Sequence, residues 1–324
     1  MSAPALPVVE PSPVEAAREA FEHTRRILFP FHFERWLTLG LVAFLDQCGR
    51  GGMGGAVPGG PTGLPSGGTG DGDLSQVGSW FTAHLAVIVL VAVVAFVVLM
   101  AVIAAATWIG SRAAFVYIDD VATGRAELTR PWRAHAERAN SYFAWRFGLA
   151  AALLVALALL VLMAVLAVFA IARGGGAGAV LGAVLLIVLV PAFIAVLLAG
   201  GLGAVALRDF VAPLQIHLQV GCRPAVRVFV ELVRAYPLPF LLYVVLKIVF
   251  EVVRGAVLVV AACLTLCCVL LPVVTQTALQ PLFFFERAWS LYLLRQMGYD
   301  LIGGAMAGGP MDVPAGGPAL VEGS

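Results

Sequence analysis

Lysine is all but missing from this chain: nineteen of its twenty basic residues are arginine, and Lys247 stands alone. That excludes a Walker A phosphate loop, which needs a lysine directly after its glycines. Charge of either sign is scarce. Asp, Glu, Lys and Arg make up 12% of 324 residues, against about 25% in an average soluble domain. The net charge of +1 provides no overall field to draw in nucleic acid. Cysteine is sparse and badly spaced for chemistry. Cys48, Cys222, Cys263, Cys267 and Cys268 contain no CxxC pair and no ladder of even spacings, so neither a disulfide framework nor a zinc site is indicated. Cys263 and Cys267 share a helical face and read as small packing residues. GxSxG, HExxH and paired-carboxylate metal motifs are all missing. His23, His32, His84, His135 and His217 are scattered over separate segments as interfacial or polar-face residues. The expectation is a protein that is not an enzyme and has no cofactor and no metal. A cleavable signal peptide is not expected either. Pro4, Pro7, Pro11 and Pro13 open the chain, and the first apolar stretch is late and broken by His32, Glu34 and Arg35.

What the chain has is apolar residues, 61% of the total, in long runs. Residues 74–111, 147–172, 174–207 and 255–285 hold no Asp, Glu, Lys or Arg. A hydrocarbon core about 30 Å thick is spanned by roughly 20 apolar helical residues, and each run exceeds that. A soluble fold is excluded. So is a transmembrane β-barrel, whose strands would alternate apolar and polar residues over about 10 positions. The fold class read from these runs is all-α: a polytopic α-helical integral membrane protein with about six transmembrane helices and interfacial amphipathic helices.

Residues 14–29 set Val14, Ala17, Phe21, Ile27 and Leu28 against Glu15, Arg18, Glu19, Glu22 and Arg25, the pattern of a helix lying in the interface. Pro30 closes it, and Phe31, Phe33 and Trp36 supply headgroup-level aromatics. A short uncharged element follows from Trp36 to Leu45. Four stronger spans are drawn at 81–110, 146–172, 177–207 and 237–271, and a weaker sixth at 273–297. Residues 1–13 and 299–324 read as disordered tails around a membrane domain, 14–298. Within it, residues 49–78 hold thirteen glycines and read as a disordered loop. Gly49, Gly51 and Gly54 match GxGxxG, but no strand precedes them and no helix follows directly, so the dinucleotide reading fails.

Arginine placement orients this layout. With the N-terminus in the cytoplasm and six crossings, sixteen of the twenty basic residues fall in inner segments. Only Arg50 and Arg173 fall outside, while Lys247 and Arg254 lie within a helix. Both termini are then cytoplasmic, in a cell membrane. The two large inner loops share a plan: an Asp, then an Arg-Pro pair, then a polar helix with Arg133/Glu137 or Arg227/Glu231 at i, i+4. Duplication and coincidence both fit that likeness.

Two constellations stand out. Gly174, Gly178 and Gly182 recur every fourth residue, a spacing that lets helix backbones approach closely. They read as packing against the third span or as an oligomer contact. Pro191, mid-span, should kink its helix. Lys247, Glu251 and Arg254 share one face of the fifth span. Counting from a turn at Leu271-Pro272 at about 1.5 Å per residue brings Arg254 and Glu251 level with Glu286 and Arg287. Arg254 is expected to pair with Glu286, and Glu251 with Arg287. The five are either interfacial charge on protruding helix ends or a polar cavity for an anionic headgroup or ion. Asp119-Asp120 reads as a charged inner loop, with metal or phosphate coordination as the sharper alternative.

The stretches RRILFPFHFERWLTLGLVAFL, GRAELTRPWRAHAERANSYFAWR and PLFFFERAWSLYLLRQMG resemble an uncharacterised multi-pass membrane family of bacteria and archaea. More distantly they resemble the membrane domain ahead of some glycerophosphodiester phosphodiesterases. The hydrolase domain is missing, so that resemblance implies a helical membrane fold without assigned chemistry. Three functions stand as expectations: a non-catalytic scaffold or accessory subunit; a transporter or lipid-handling protein using Lys247, Glu251, Arg254, Glu286 and Arg287; and, least, an enzyme. Expected partners are membrane lipids, with protein partners or a second copy as further options, and no nucleic acid.

Overall fold

A computed structural model of the chain describes residues 10–48, 74–173, 175–264 and 272–303. In order these form α1 (Pro13–Leu28), α2 (Phe33–Cys48), α3 (Leu74–Thr123), α4 (Thr129–Ala134), α5 (Ala136–Arg173) and α6 (Gly175–Ala206). A π-helical turn at Leu207–Val211 leads into α7 (Ala212–Leu218), then α8 (Cys222–Ala235), α9 (Pro237–Leu264), α10 (Pro272–Ala278) and α11 (Gln280–Gln296). No strand occurs among the described residues.

Three helical stretches are long and apolar enough to cross a membrane: His84–Thr123, Ala136–Arg173 and Gly175–Leu218. Each is divided in character. Leu85 to Ile103 of α3 expose their valines and leucines, while Ala113 to Ile118, Val121 and Ala122 at its far end are fully enclosed. Likewise α6 is exposed over Val180–Leu202, and Leu207–His217 beyond it are buried. The outer lengths thus expose most of their apolar side chains, with α5 and α6 packed on each other, whereas their arginine-bearing ends join one compact body. Such all-round apolar exposure suits lipid contact and no aqueous setting.

The α5–α6 hairpin is closed by small residues. A Cβ on Gly182 would lie 2.6 Å from the Ala167 carbonyl oxygen, and one on Gly178 would lie 3.3 Å from that of Ala170. The expected glycine packing against the third span is found at these two positions; Gly174 lies outside the described residues. Gly200 abuts Leu153 in the same way. Elsewhere α2 crosses α10 where Gly40 faces Thr277, whose Cα would be 2.9 Å from an added Cβ.

The body is organised around α11. Phe283, Phe284 and every residue from Glu286 to Leu294 are buried, packed by α1, α2, α3, α10 and the π-turn. The weak sixth span is thus two helices broken at Leu279, the second wrapped by protein over most of its length. α1 begins at Ser12, whose hydroxyl accepts the Glu15 amide, with Pro13 in the first turn. It lies on α11: Trp289 Nε1 donates to the Pro13 carbonyl at 2.8 Å, and the Ser12 amide donates to Gln296 Oε1 at 2.8 Å. The end of the segment read as a disordered tail is therefore pinned. Residues 1–9 and 304–324 of the two expected tails lie outside the described residues, as does 49–73 of the glycine-rich loop. Residues 74–78 of that loop already belong to α3.

Two outcomes test this packing. Gly182→Val should destabilise the hairpin by about 1–3 kcal/mol through overpacking. Gly201→Ala, where an added Cβ meets nothing, should stabilise it by up to about 1 kcal/mol through helix propensity; denaturant unfolding in detergent measures both. His23, in α1, donates through Nε2 to the Val121 carbonyl at 2.9 Å, and burial lowers its pKa below the usual 6.5. The folded state therefore holds this ring neutral. Its contribution is complete above pH 6.5 and is lost as pH falls through the lowered value. Melting temperature should drop on acidification below pH 6.5, and His23→Gln should flatten that slope.

Candidate functional site

Lys247, Arg254, Glu286 and Arg287 do come together, but deep in the body. Glu286 on α11 is fully enclosed, and three cations converge on it. Lys247 Nζ lies 2.8 Å from Oε1, Arg208 Nη1 reaches the same oxygen, and Arg254 Nη1 lies 3.0 Å from Oε2. Lys247 also lies 3.0 Å from Asp209 Oδ2, which accepts the Tyr243 hydroxyl at 2.9 Å. Arg287, next to Glu286 in sequence, looks the other way. Its Nη2 is 3.3 Å from Asp46 Oδ2 on α2, and its Nη1 donates to the Arg208 carbonyl at 2.8 Å. Arg208 Nη2 reaches the same Asp46 oxygen at 3.5 Å. At the rim, Arg254 pairs with Glu251, whose side chains are 27% and 38% exposed.

Four cations, Arg208, Lys247, Arg254 and Arg287, thus meet four carboxylates, Asp46, Asp209, Glu251 and Glu286. The sum is neutral. A buried ion costs several kcal/mol in lost hydration, which attraction offsets only when geometry is good and the remaining donors are satisfied. Ring contacts add to this: Tyr243 lies under Lys247, Phe283 under Arg254 and Tyr117 under Arg287. Chemically the arrangement sets each cation against at least one carboxylate, which suits a lock between helices.

The expected Arg254–Glu286 pair is present. The expected Glu251–Arg287 pair is not, because adjacent residues on a helix point about 100° apart, and Arg287 faces α2 and the π-turn. Lys247, Glu286 and Arg287 lie inside the body, and Arg254 and Glu251 sit at its partly exposed edge. Asp46, Arg208, Asp209 and Tyr243 were missed. The span drawn at 177–207 stops short of Arg208-Asp209, yet the helix runs on through them as a π-turn, a widened turn common at strained or functional places. The available signals were Arg208 ending a charge-free run and Asp46 as the one acid past the first turn of α2.

The Asp119-Asp120 alternative resolves into helix end. Asp119 pairs with Arg130 at 2.8 Å, and Asp120 Oδ1 accepts the Glu127 amide at 3.0 Å. No group of three or more possible metal ligands occurs among the described residues. A surface hollow of ≈ 270 Å³ lies elsewhere, between Glu137, Arg138, Ser141 and Gln219–Gly221.

The lock predicts unequal costs. Glu286→Gln removes the one carboxylate that three cations share and should cost about 3–5 kcal/mol. Glu251→Gln, at the partly exposed rim, should cost under about 1 kcal/mol. Urea unfolding of the detergent-solubilised variants distinguishes them.

Residues 11–306 match the family model described as Family of unknown function (DUF7544). No curated protein and no solved structure matches the chain, and nothing links it to the membrane domains of glycerophosphodiester phosphodiesterases.

Proposed function

The chain belongs to this family of unknown function, and from the geometry of its network we propose that it is a non-catalytic integral membrane protein, a scaffold or accessory subunit. The observation that carries this reading is the network's closure. Its charges balance one another at the base of the apolar helices, with only Arg208 Nε, Arg287 Nε and Asp209 Oδ1 left without a hydrogen bond among its described buried atoms, so it serves to hold α2, the π-turn, α9 and α11 together. The outer lengths of α3, α5, α6 and α9, with apolar side chains such as Val94, Leu162, Ile187 and Val252 exposed, are left for lipid and for the helices of partners or of a second copy.

In this reading the chain crosses a cell membrane six times. α2 and α10 enter together, α9 crosses with Arg254 reaching down toward Glu286, and the arginine-rich body with both termini is cytoplasmic. A transporter or lipid-handling role for the same cluster is the second reading, favoured by the exposed Glu251–Arg254 edge.

A charge-balanced replacement tests the two. Lys247→Met with Asp209→Asn removes one cation and one anion. For a structural lock, the double variant recovers stability that each single variant loses, and cross-linked neighbours in intact membranes stay unchanged. If the double variant folds normally but loses uptake or binding of a solute or lipid that the wild type handles, the reading turns to transport. Cysteines placed at 60–65 should react with an impermeant reagent added outside; protection there overturns the six-crossing layout.

A further inference from the structure

Outside the network, one arginine stands over two indole rings. Arg112, near the enclosed end of α3, has its guanidinium 4.5 Å from the Trp108 ring centre and 5.7 Å from that of Trp132 on α4. The two indoles meet edge to face at 6.5 Å. Asn140 of α5 orients the group, accepting from Arg112 Nη2 at 3.4 Å and from Trp108 Nε1 at 3.1 Å. Among the described residues no carboxylate pairs with Arg112, and its Nε has no hydrogen-bond partner. A guanidinium is therefore held in place, between two aromatic faces, with no counter-charge.

Its level in the fold says what it faces. The charge-free run of α3 ends at Arg112, that of α5 begins after Arg146, and that of α6 ends at Arg208. Leu149 lies beside Gly203 and Leu153 beside Gly200, so Arg146 and Arg208 stand at the same end of the hairpin. Arg112 joins that end through Asn140. On the membrane-spanning reading, which this inference requires, that level is where acyl chains give way to headgroups. Tryptophan favours this boundary, and Trp108 remains 38% exposed. Guanidinium is weakly hydrated, stacks on aromatic faces and presents paired donors that match phosphate oxygens. Because the indoles already restrict the side chain, little of its rotamer entropy remains to be lost on binding.

We propose that Arg112, clamped by Trp108 and Trp132 and oriented by Asn140, is a binding site for the phosphodiester headgroup of an anionic glycerophospholipid. The site takes the phosphate on the terminal Nη groups of the guanidinium, since Nε is enclosed, while the indoles border the lipid's glycerol and upper acyl carbons.

The test uses the full-length protein in mild detergent, titrated with phosphatidylglycerol, phosphatidylcholine or inorganic phosphate, and read by native mass spectrometry and tryptophan fluorescence. Wild type should retain phosphatidylglycerol in preference to phosphatidylcholine. Arg112→Met should lower that retention about tenfold, the scale of one charge-assisted contact. Trp132→Leu, which leaves the charge but opens the clamp, should lower it by a smaller factor and covers the case in which Arg112→Met does not fold. Equal phosphatidylglycerol retention by wild type and both variants overturns the site. Equal displacement by inorganic phosphate at the same concentration assigns it to free phosphate and overturns the lipid. Extraction by alkaline carbonate would overturn the spanning reading instead; retention through that wash without phosphatidylglycerol preference overturns this inference alone.

Discussion

The fold depends on closing a neutral set of charges in a place where water is excluded. Asp46, Arg208, Asp209, Lys247, Glu286 and Arg287 come from four separate segments, and each is at least nine-tenths enclosed in the assembled body. None could be buried alone, because a lone desolvated ion carries a penalty of several kcal/mol. The segments are therefore coupled. α2 cannot leave without exposing Arg287 and Arg208 to an unbalanced interior, and α9 cannot leave without stripping Glu286 of Lys247 and Arg254. The network is better understood as a device for register than as a source of stability. A well-packed apolar set could hold these helices as tightly, but Leu and Val would tolerate sliding by a turn, and ion pairs at 2.8–3.3 Å do not.

That coupling explains a division along the long helices. Between the exposed lengths of α5 and α6, close approach is set by small residues, as at Gly182 against Ala167 and Gly200 against Leu153. Burial in the ordinary sense is confined to the arginine-bearing ends, where α1, α7, α8 and α11 add mass. His23 shows how this part is bound together: it donates to Val121 of α3 while its ring stacks 5.8 Å from Phe284 of α11. The backbone of the spanning lengths satisfies itself within each helix, so those lengths need no partner for hydrogen bonding. They are free to be read by lipid or by another chain.

Much of the helical layout was legible in the sequence because lipid imposes a simple rule. Charge-free runs of 26 residues or more have one economical conformation, and the runs at 147–172 and 174–207 are the cores of α5 and α6. The Arg254–Glu286 pair was legible for the same reason: both flank one turn, so rise per residue brings them level. Facing direction was not legible. Glu286 and Arg287 are neighbours in sequence, yet one faces α9 and the other α2, and only packing decides which face meets which helix. Asp46 pairs with Arg287 across 241 residues, a separation that no periodicity encodes. Likewise α11 carries enough Phe, Leu and Trp to pass for a lipid-facing helix. Only its neighbours reveal that those residues are core.

The structure handles charge in two opposed ways at one level. Inside, cations and carboxylates are matched one for one, so the network projects little field beyond itself. On the outside of the same level, Arg112 is stacked and left without a carboxylate, and Arg146 Nη2 is likewise buried without a hydrogen-bond partner. On the membrane reading proposed above, an unmatched guanidinium draws its counter-charge from the anionic leaflet, worth about 1 kcal/mol for each basic residue near the surface. A neutral interior with a basic rim therefore separates two tasks that a single cluster could not perform together. The interior sets how the helices align with one another, and the rim, on that reading, sets how the assembled body meets the bilayer.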